Sequence, residues 1–148
     1  MANLKKLQDT IKEYSEKYRR VGVGELEQGE VYSLDKTVDI RATTPSSYWP
    51  KTWPLSHRRG IYAIFSHEEL LYIGKASQQA LGYRLSSYFK KVEGKCSIAQ
   101  GHSWSSPPTH VVTWAVPDAM FFEASALEEY IIHSLKDELP DHTVGKSS

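Results

Sequence analysis

The chain has few of the features that mark secreted, membrane-spanning or zinc-stabilised proteins. Its 148 residues include one cysteine, Cys96, so the sequence cannot form an intramolecular disulfide and contains no C-x-x-C zinc motif. No apolar run approaches the ~20 residues that span a bilayer, and the first residues carry no apolar signal segment. We therefore expect a cytoplasmic protein with no membrane partner, long enough to bury a core without covalent cross-links.

The sequence also lacks an excess of charge of either sign. It has 18 basic and 18 acidic residues, which argues against a uniformly basic protein that coats nucleic acid. The charges are nevertheless divided along the chain. Between His57 and Lys95 there are seven basic and three acidic residues, whereas from Pro117 to the end there are two basic and seven acidic ones. Segment 57–95 is therefore where we expect phosphates to bind.

Apolar side chains recur every three or four residues between positions 3 and 20, which predicts an amphipathic helix. Two roles are open for this helix: packing on the domain or on a second subunit, or contact with DNA through its lysines and arginines. We predict that residues 1–56 form a helix and β/loop extension. This extension packs on a core that comprises residues 57–148.

Between the first helix and the core, two further segments can be interpreted. Residues 30–41 are rich in β-branched side chains and predict a second hairpin or strand pair. Residues 43–57 contain three prolines, which exclude a regular helix or a central strand and predict an ordered loop. The tryptophans of this loop are buried in one interpretation, whereas in the other Tyr48, Trp49 or Trp53 stack on unpaired bases.

The core begins with two short apolar runs, residues 60–65 and 70–74, separated by four polar residues. This pattern predicts a β-hairpin that brings Tyr62 and Tyr72 close together. The following patterns predict a helix over 78–91, a long loop over 93–108, a strand over 110–116 and a helix over 121–139. This order predicts an α/β fold with a small, mostly antiparallel sheet of three or slightly more strands, flanked by helices.

Two tripeptides in the hairpin are followed by one charged residue in each of the two later helices. In order, the motifs are Gly60-Ile61-Tyr62, Tyr72-Ile73-Gly74 with Lys75 directly after it, Arg84 and Glu128. This set resembles the motif set of the GIY-YIG endonuclease superfamily, over residues 59–141. The resemblance implies a small α/β core with the two tyrosine strands adjacent. It also implies a divalent-metal-dependent endonuclease that hydrolyses DNA phosphodiester bonds.

The resemblance implies a role for each of these residues. Glu128 is the metal ligand, which suits Mg²⁺ or Mn²⁺ because Mg²⁺ is held by one or two carboxylates and keeps several waters. Arg84 offers a fixed fork of donors to a phosphate, and Lys75 orients the water or holds a phosphate. Tyr62 is the base or water-orienting phenol and Tyr72 assists it, provided that nearby cations favour a phenolate.

Motif residues, together with the basic residues around them in segment 57–95, are expected to contact nucleic acid. They are Arg58, Arg59, Gly74, Lys75, Arg84, Tyr88, Lys90 and Lys91. The chain departs from the family at two positions. Tyr88 stands where many relatives have a histidine, and Asp141 follows Pro140 where many relatives have an asparagine.

Duplex DNA is the expected partner. Cutting both of its strands requires two active sites, so we expect a homodimer or a higher homo-oligomer. An alternative function is a catalytically weak nucleic-acid-binding module on the same scaffold. A third is a protein-interaction domain that binds a basic partner through its acidic C-terminal part.

Overall fold

The predicted hairpin is present and lies at one side of the sheet. In the computed structural model, which describes residues 1–34, 53–92, 95–98 and 104–141, strands β3 (Gly60–Ser66) and β4 (Glu69–Ala76) pair antiparallel. Strand β7 (His110–Ala115) pairs with the other side of β3. Two short strands, β1 (Glu27–Gln28) and β2 (Tyr32–Ser33), pair with β7. Strand β4 therefore forms one edge of the sheet.

The prediction of an α/β fold with a mostly antiparallel sheet is confirmed, but the sheet has five strands in the described part of the chain rather than three. Strand β1 was not predicted, and β2 lies within the strand pair predicted for residues 30–41. Residues 35–41 of that pair lie outside the described residues. Each of these strands is two residues long, which is too short for an alternating pattern to identify.

Both faces of β3 are buried, which explains its nearly continuous apolar sequence. Ile61, Ala63 and Phe65 belong to one hydrophobic cluster, and Tyr62 and Ile64 belong to another. Since successive side chains of a strand point to opposite faces, these clusters are the two faces of the sheet. Tyr62 and the helices that carry Leu7 and Leu127 therefore lie on opposite faces.

Helices α1 (Leu4–Tyr18) and α3 (Glu123–Leu135) cover the first face. Helix α1 begins where the Asn3 side chain accepts a hydrogen bond of 2.9 Å from the Lys6 backbone N–H, which satisfies one of the free donors of its first turn. Its residues Leu7, Ile11 and Tyr14 are buried against the sheet and α3. Helix α1 thus packs on the domain, and Lys17 on its exposed side pairs with Glu13.

A buried ion pair joins the end of α1 to the start of α3. Arg19 donates two hydrogen bonds to the Glu123 carboxylate, from Nε at 2.7 Å and from Nη2 at 2.9 Å, and Tyr14 donates a third at 2.9 Å. Burial raises the pKa of Glu123, but these hydrogen bonds outweigh burial and hold that pKa below its ordinary value. Burial and the contact with Glu123 raise the pKa of Tyr14 to about 12. The carboxylate is therefore ionised and fully paired.

Helix α2 (Leu81–Leu85) and Phe89, the first residue of β5 (Phe89–Val92), pack on the second face. Strand β5 pairs with β6 (Lys95–Ile98) in a separate hairpin. The prediction of one helix over 78–91 and a loop over 93–108 was therefore wrong in part. The helix ends because Ser87 Oγ donates a 2.6 Å hydrogen bond to the Arg84 carbonyl, which offers the backbone an alternative to another helical turn. Of residues 90–92 and 95–98 only the backbone is described.

The loop predicted for residues 43–57 lies partly outside the described residues, including Tyr48 and Trp49. Trp53 is buried and packs against Tyr32 and Phe89, so it is not available to stack on a base. In the part of the chain that the structure describes, no helix has the length and apolar character needed to cross a membrane.

Candidate active site

Two glycines of the motifs, one on β3 and one on β4, allow close approaches. A Cβ on Gly60 would lie 1.8 Å from the carbonyl oxygen of Trp114 on β7. A Cβ on Gly74 would lie 2.2 Å from Cζ and 2.3 Å from the hydroxyl of Tyr62. Gly74 is the partner of Tyr62 across the β3–β4 ladder, so the absence of a side chain at 74 lets the Tyr62 ring cross β4 towards the edge of the sheet.

Among the residues that the structure describes, two backbone hydrogen bonds cover the start of the outer edge of β4. There, the Leu70 N–H donates to the Ala2 carbonyl at 2.8 Å, and the Asp141 N–H donates to the Leu71 carbonyl at 3.2 Å. Further along β4, a pocket of about 270 Å³ lies beside Lys75. We call this the edge pocket. It is lined by Tyr62, Tyr72, Lys75, Ser77, Gln78, Gln79, Arg84 and Glu128.

The edge pocket therefore contains all five predicted catalytic residues. Tyr62, Tyr72 and Arg84 reach it from the face of the sheet that α2 covers. Lys75 and Glu128 reach it from the opposite face, where the Lys75 ammonium donates a 3.1 Å hydrogen bond to Ser125 on α3. A hairpin, a short helix and a long helix thus bring their charged and phenolic groups to one place.

Three phenol hydroxyls form a hydrogen-bonded chain beside the edge pocket. The Tyr62 hydroxyl donates to Tyr88 at 2.9 Å, and the Tyr88 hydroxyl donates to Tyr72 at 3.2 Å. Tyr88 was predicted to contact nucleic acid, but its side chain is buried and joins the other two tyrosines. Trp104, which sequence patterns did not single out, packs against Tyr72 and Tyr88 at ring distances of 5.9 and 6.0 Å.

The electrostatic balance at Tyr62 and Tyr72 raises the pKa of each phenol and favours its neutral form. Burial and the proximity of Tyr88 raise the pKa of Tyr62 well above its ordinary value, and Arg84 opposes this only in part. Burial and the hydrogen bond from Tyr88 also raise the pKa of Tyr72. The cations do not, in this structure, favour a phenolate as the sequence interpretation required. Tyr62 is fully buried, whereas Tyr72 is partly exposed.

Glu128 is the carboxylate of the edge pocket. Burial raises its pKa above the ordinary value, although Lys75 and Arg84 act in the opposite direction. Within the described residues it forms no salt bridge or hydrogen bond at contact distance, in contrast to Glu123. A half-buried carboxylate beside a cavity of about 270 Å³ fits a hard divalent cation that keeps several waters. No cluster of three or more His, Cys, Asp or Glu residues suited to a metal occurs among the residues the structure describes.

The residues predicted to contact nucleic acid differ in their exposure and in their contacts with the rest of the protein. Arg58 is engaged by protein groups: it donates to Glu27 at 3.0 Å and to the Val116 carbonyl at 3.1 Å, and it pairs with Asp118. Arg59, its neighbour, is exposed. The side chains of Lys90 and Lys91 lie outside the described ones, although both residues are in β5.

Comparisons with known proteins add no assignment. The chain matches no protein-family model, no curated protein and no solved structure. Any function must therefore be inferred from the side chains of the edge pocket and from their geometry.

Proposed function

We propose that the protein is a divalent-metal-dependent endonuclease of the GIY-YIG type, which hydrolyses DNA phosphodiester bonds in the edge pocket. The observation that carries this proposal is the meeting of two cations, a carboxylate and two phenols in one pocket of about 270 Å³. These groups come from four separate elements. A merely structural role does not require such a set at the open edge of a sheet.

The charges of the edge pocket suit a phosphodiester. Lys75 and Arg84 supply two positive charges and Glu128 one negative charge, so the pocket attracts an anion. Arg84 stays charged at any working pH, and its pKa is raised by the phenol of Tyr62 although burial opposes its charge. We assign to Arg84 and Lys75 the non-bridging oxygens of the phosphate, where negative charge grows during hydrolysis.

Glu128 is the residue that would hold the metal ion. When bound, Mg²⁺ or Mn²⁺ supplies a Lewis acid that stabilises charge on the phosphate and on the departing oxygen. Because two protein cations lie near Glu128, their repulsion disfavours a divalent ion in the empty pocket. The negative charge of a phosphate removes this repulsion, so Glu128 binds the ion most strongly when DNA is present.

The exposure of the tyrosines divides their roles. Tyr72 is partly exposed in the edge pocket, so we assign to it the hydrogen bond that orients the attacking water. Tyr62 is fully buried and acts through Tyr88, which holds the Tyr72 hydroxyl in place. This assignment exchanges the roles that the sequence interpretation gave to the two motif tyrosines.

The experiment that tests the proposed function uses the purified chain and four nucleic acids: supercoiled plasmid, linear duplex, single-stranded DNA and RNA. Each is incubated with Mg²⁺, with Mn²⁺ or with EDTA, and the ends of any products are mapped. We expect cutting of DNA at internal positions that depends on the divalent ion. Binding without cutting in every condition would contradict the proposal and would favour the binding-module alternative.

We predict that Tyr88→Phe slows cleavage by about tenfold and lowers the free energy of unfolding by about 1–3 kcal/mol, because a buried hydroxyl of Tyr62 loses its hydrogen-bond acceptor. The ring packing on Tyr72 and Trp104 is retained in this variant. Cleavage rates and urea unfolding measure the two effects. Tyr83→Phe removes an exposed hydroxyl from α2, the helix that precedes Tyr88, and is the matched control. Equal behaviour of the two variants would refute the role given to Tyr88.

A further inference from the structure

Two adjacent aromatic side chains are exposed at the start of α3. Phe121 is 39% exposed and Phe122 is 60% exposed, and their rings lie 5.8 Å apart in an edge-to-face arrangement. Large apolar side chains are seldom paired on a surface without a binding role. We call these two residues the Phe121–Phe122 surface.

The Arg59 side chain lies beside the aromatic rings. The guanidinium carbon of Arg59 lies 5.7 Å from the centre of the Phe121 ring, within the range of a cation–π contact. Arg59 forms no ion pair with the residues the structure describes, whereas Arg58 is held by Glu27 and Asp118. The charge of Arg59 is therefore available to a phosphate, next to two exposed aromatic rings.

The spacing of residues along α3 links the Phe121–Phe122 surface to the edge pocket. The backbone turn that contains Phe121 leads directly into α3, since the Ala124 N–H donates to the Phe121 carbonyl at 3.2 Å. Phe121, Ser125 and Glu128 have the four- and three-residue spacing that places side chains on one face of a helix. Ser125 in turn accepts the hydrogen bond of Lys75. A strip thus runs from the aromatic rings to the predicted metal ligand.

The length of this strip fits a few nucleotides. Glu128 lies seven positions after Phe121, which corresponds to about 10 Å along a helix and to roughly three steps of a stacked DNA strand. A strand whose phosphate occupies the edge pocket therefore has bases within reach of both rings. In a closed duplex those bases are paired and stacked on their neighbours, so only unpaired bases can use the exposed rings.

We propose that the Phe121–Phe122 surface, with Arg59, stacks unpaired bases about three nucleotides from the phosphate that is cut. The substrate class that follows is DNA in which a single-stranded segment adjoins a duplex, such as a tailed or flapped end. This inference rests on the proposed function, because it uses the edge pocket to place the strand. Positive charge beside the rings favours nucleic acid over a second copy of the chain as the occupant.

The test compares binding of a blunt duplex and of the same duplex with a short unpaired tail, measured by fluorescence anisotropy in EDTA so that no strand is cut. We expect the double variant Phe121→Leu/Phe122→Leu to bind the tailed duplex roughly 5- to 100-fold more weakly, as loss of base stacking predicts. Binding of the blunt duplex is expected to change less than about twofold, and the salt dependence to stay the same, since no phosphate contact is lost.

Tyr18→Leu is the matched control, because Tyr18 is similarly exposed at 65% and does not line the edge pocket. An equal loss on both DNAs, or no loss on either, would overturn the inference. The inference would also be overturned if light scattering showed a dimer for the wild type and a monomer for the double variant, since the surface would then join two copies of the chain. If the wild type cuts DNA and the double variant binds the tailed duplex as well as the wild type does, this inference is overturned and the proposed function stands. Failure of the wild type to bind any nucleic acid would overturn the proposed function as well.

Discussion

Glu128→Gln is expected to reduce metal-dependent cleavage by roughly 1,000-fold or more, since the substitution removes the charge that holds the cation and keeps the shape of the side chain. The loss cannot be attributed to unfolding. Burial raises the pKa of Glu128, so folding favours its neutral form and the ionised carboxylate lowers stability at neutral pH. Gln removes that cost, and the variant is expected to be at least as stable as the wild type.

The adjacent residue provides a matched control for this variant. Glu129 is exposed, and its charge acts on Glu128 only from a distance. Glu129→Gln is expected to retain cleavage within about a factor of three, because a single exposed charge has a small effect. Rates are measured on a saturating DNA substrate, and urea unfolding is measured in parallel. A Glu128→Gln protein that cuts DNA at the rate of Glu129→Gln would contradict the role assigned to Glu128.

Arg19→Leu is expected to lower the free energy of unfolding by about 3–5 kcal/mol, because it leaves the Glu123 carboxylate buried without its cation. The Arg19 and Glu123 side chains are only 8% and 5% exposed, so water cannot replace the lost hydrogen bonds. Arg20→Leu is the matched control, since Arg20 is the next residue and is exposed. Its effect is expected to lie within about 0.5 kcal/mol. Urea unfolding at neutral pH measures both variants.

The Arg19–Glu123 ion pair also makes the free energy of unfolding depend on pH, and this dependence can be assigned to Glu123. The pKa of Glu123 is below its ordinary value in the folded protein, so the stabilisation is present above the unfolded pKa of about 4.3. It is lost as the pH falls through the folded pKa. In Glu123→Gln, the free energy of unfolding is expected to lack this decrease at acid pH. An Arg19→Leu protein as stable as Arg20→Leu would show that the pair does not hold α1 on α3.

The hairpin was predictable because β3 and β4 carry short apolar runs with a polar turn between them. The positions of Tyr62 and Gly74 then followed from strand pairing. The need for glycine at position 74 could not be predicted in the same way, because it depends on how the Tyr62 ring packs across that position. The apolar period of α1 and α3 was equally clear, and both helices were predicted at nearly their observed positions.

The segment after Arg84 was misread because its apolar residues fit a helical period and also a short helix followed by a strand. All four apolar residues are buried: Leu81, Leu85, Tyr88 and Phe89. The last two, however, follow the turn that ends α2. The place of Tyr88 between two phenols depends on this turn. Short apolar runs do not distinguish the two structures, and tertiary packing decides between them.

The pairing of Arg19 with Glu123 had no sequence signal. The two residues lie 104 positions apart, and each looks like an ordinary charged residue near a helix end. Their burial arises only when α1 is laid against α3. The same applies to the Phe121–Phe122 surface, because adjacent phenylalanines at the start of an apolar helix would ordinarily be assigned to the core.

In the proposed function, Glu128 and a bound phosphodiester together hold one divalent ion in the edge pocket. The most direct measurement is a titration with Mn²⁺, followed by electron paramagnetic resonance, with and without a non-cleavable phosphorothioate DNA. Wild-type protein is expected to bind one Mn²⁺ per chain much more tightly when the DNA is present, and Glu128→Gln is expected to lose that site while Glu129→Gln keeps it. Equal Mn²⁺ binding by wild type and Glu128→Gln in the presence of DNA would contradict the claim.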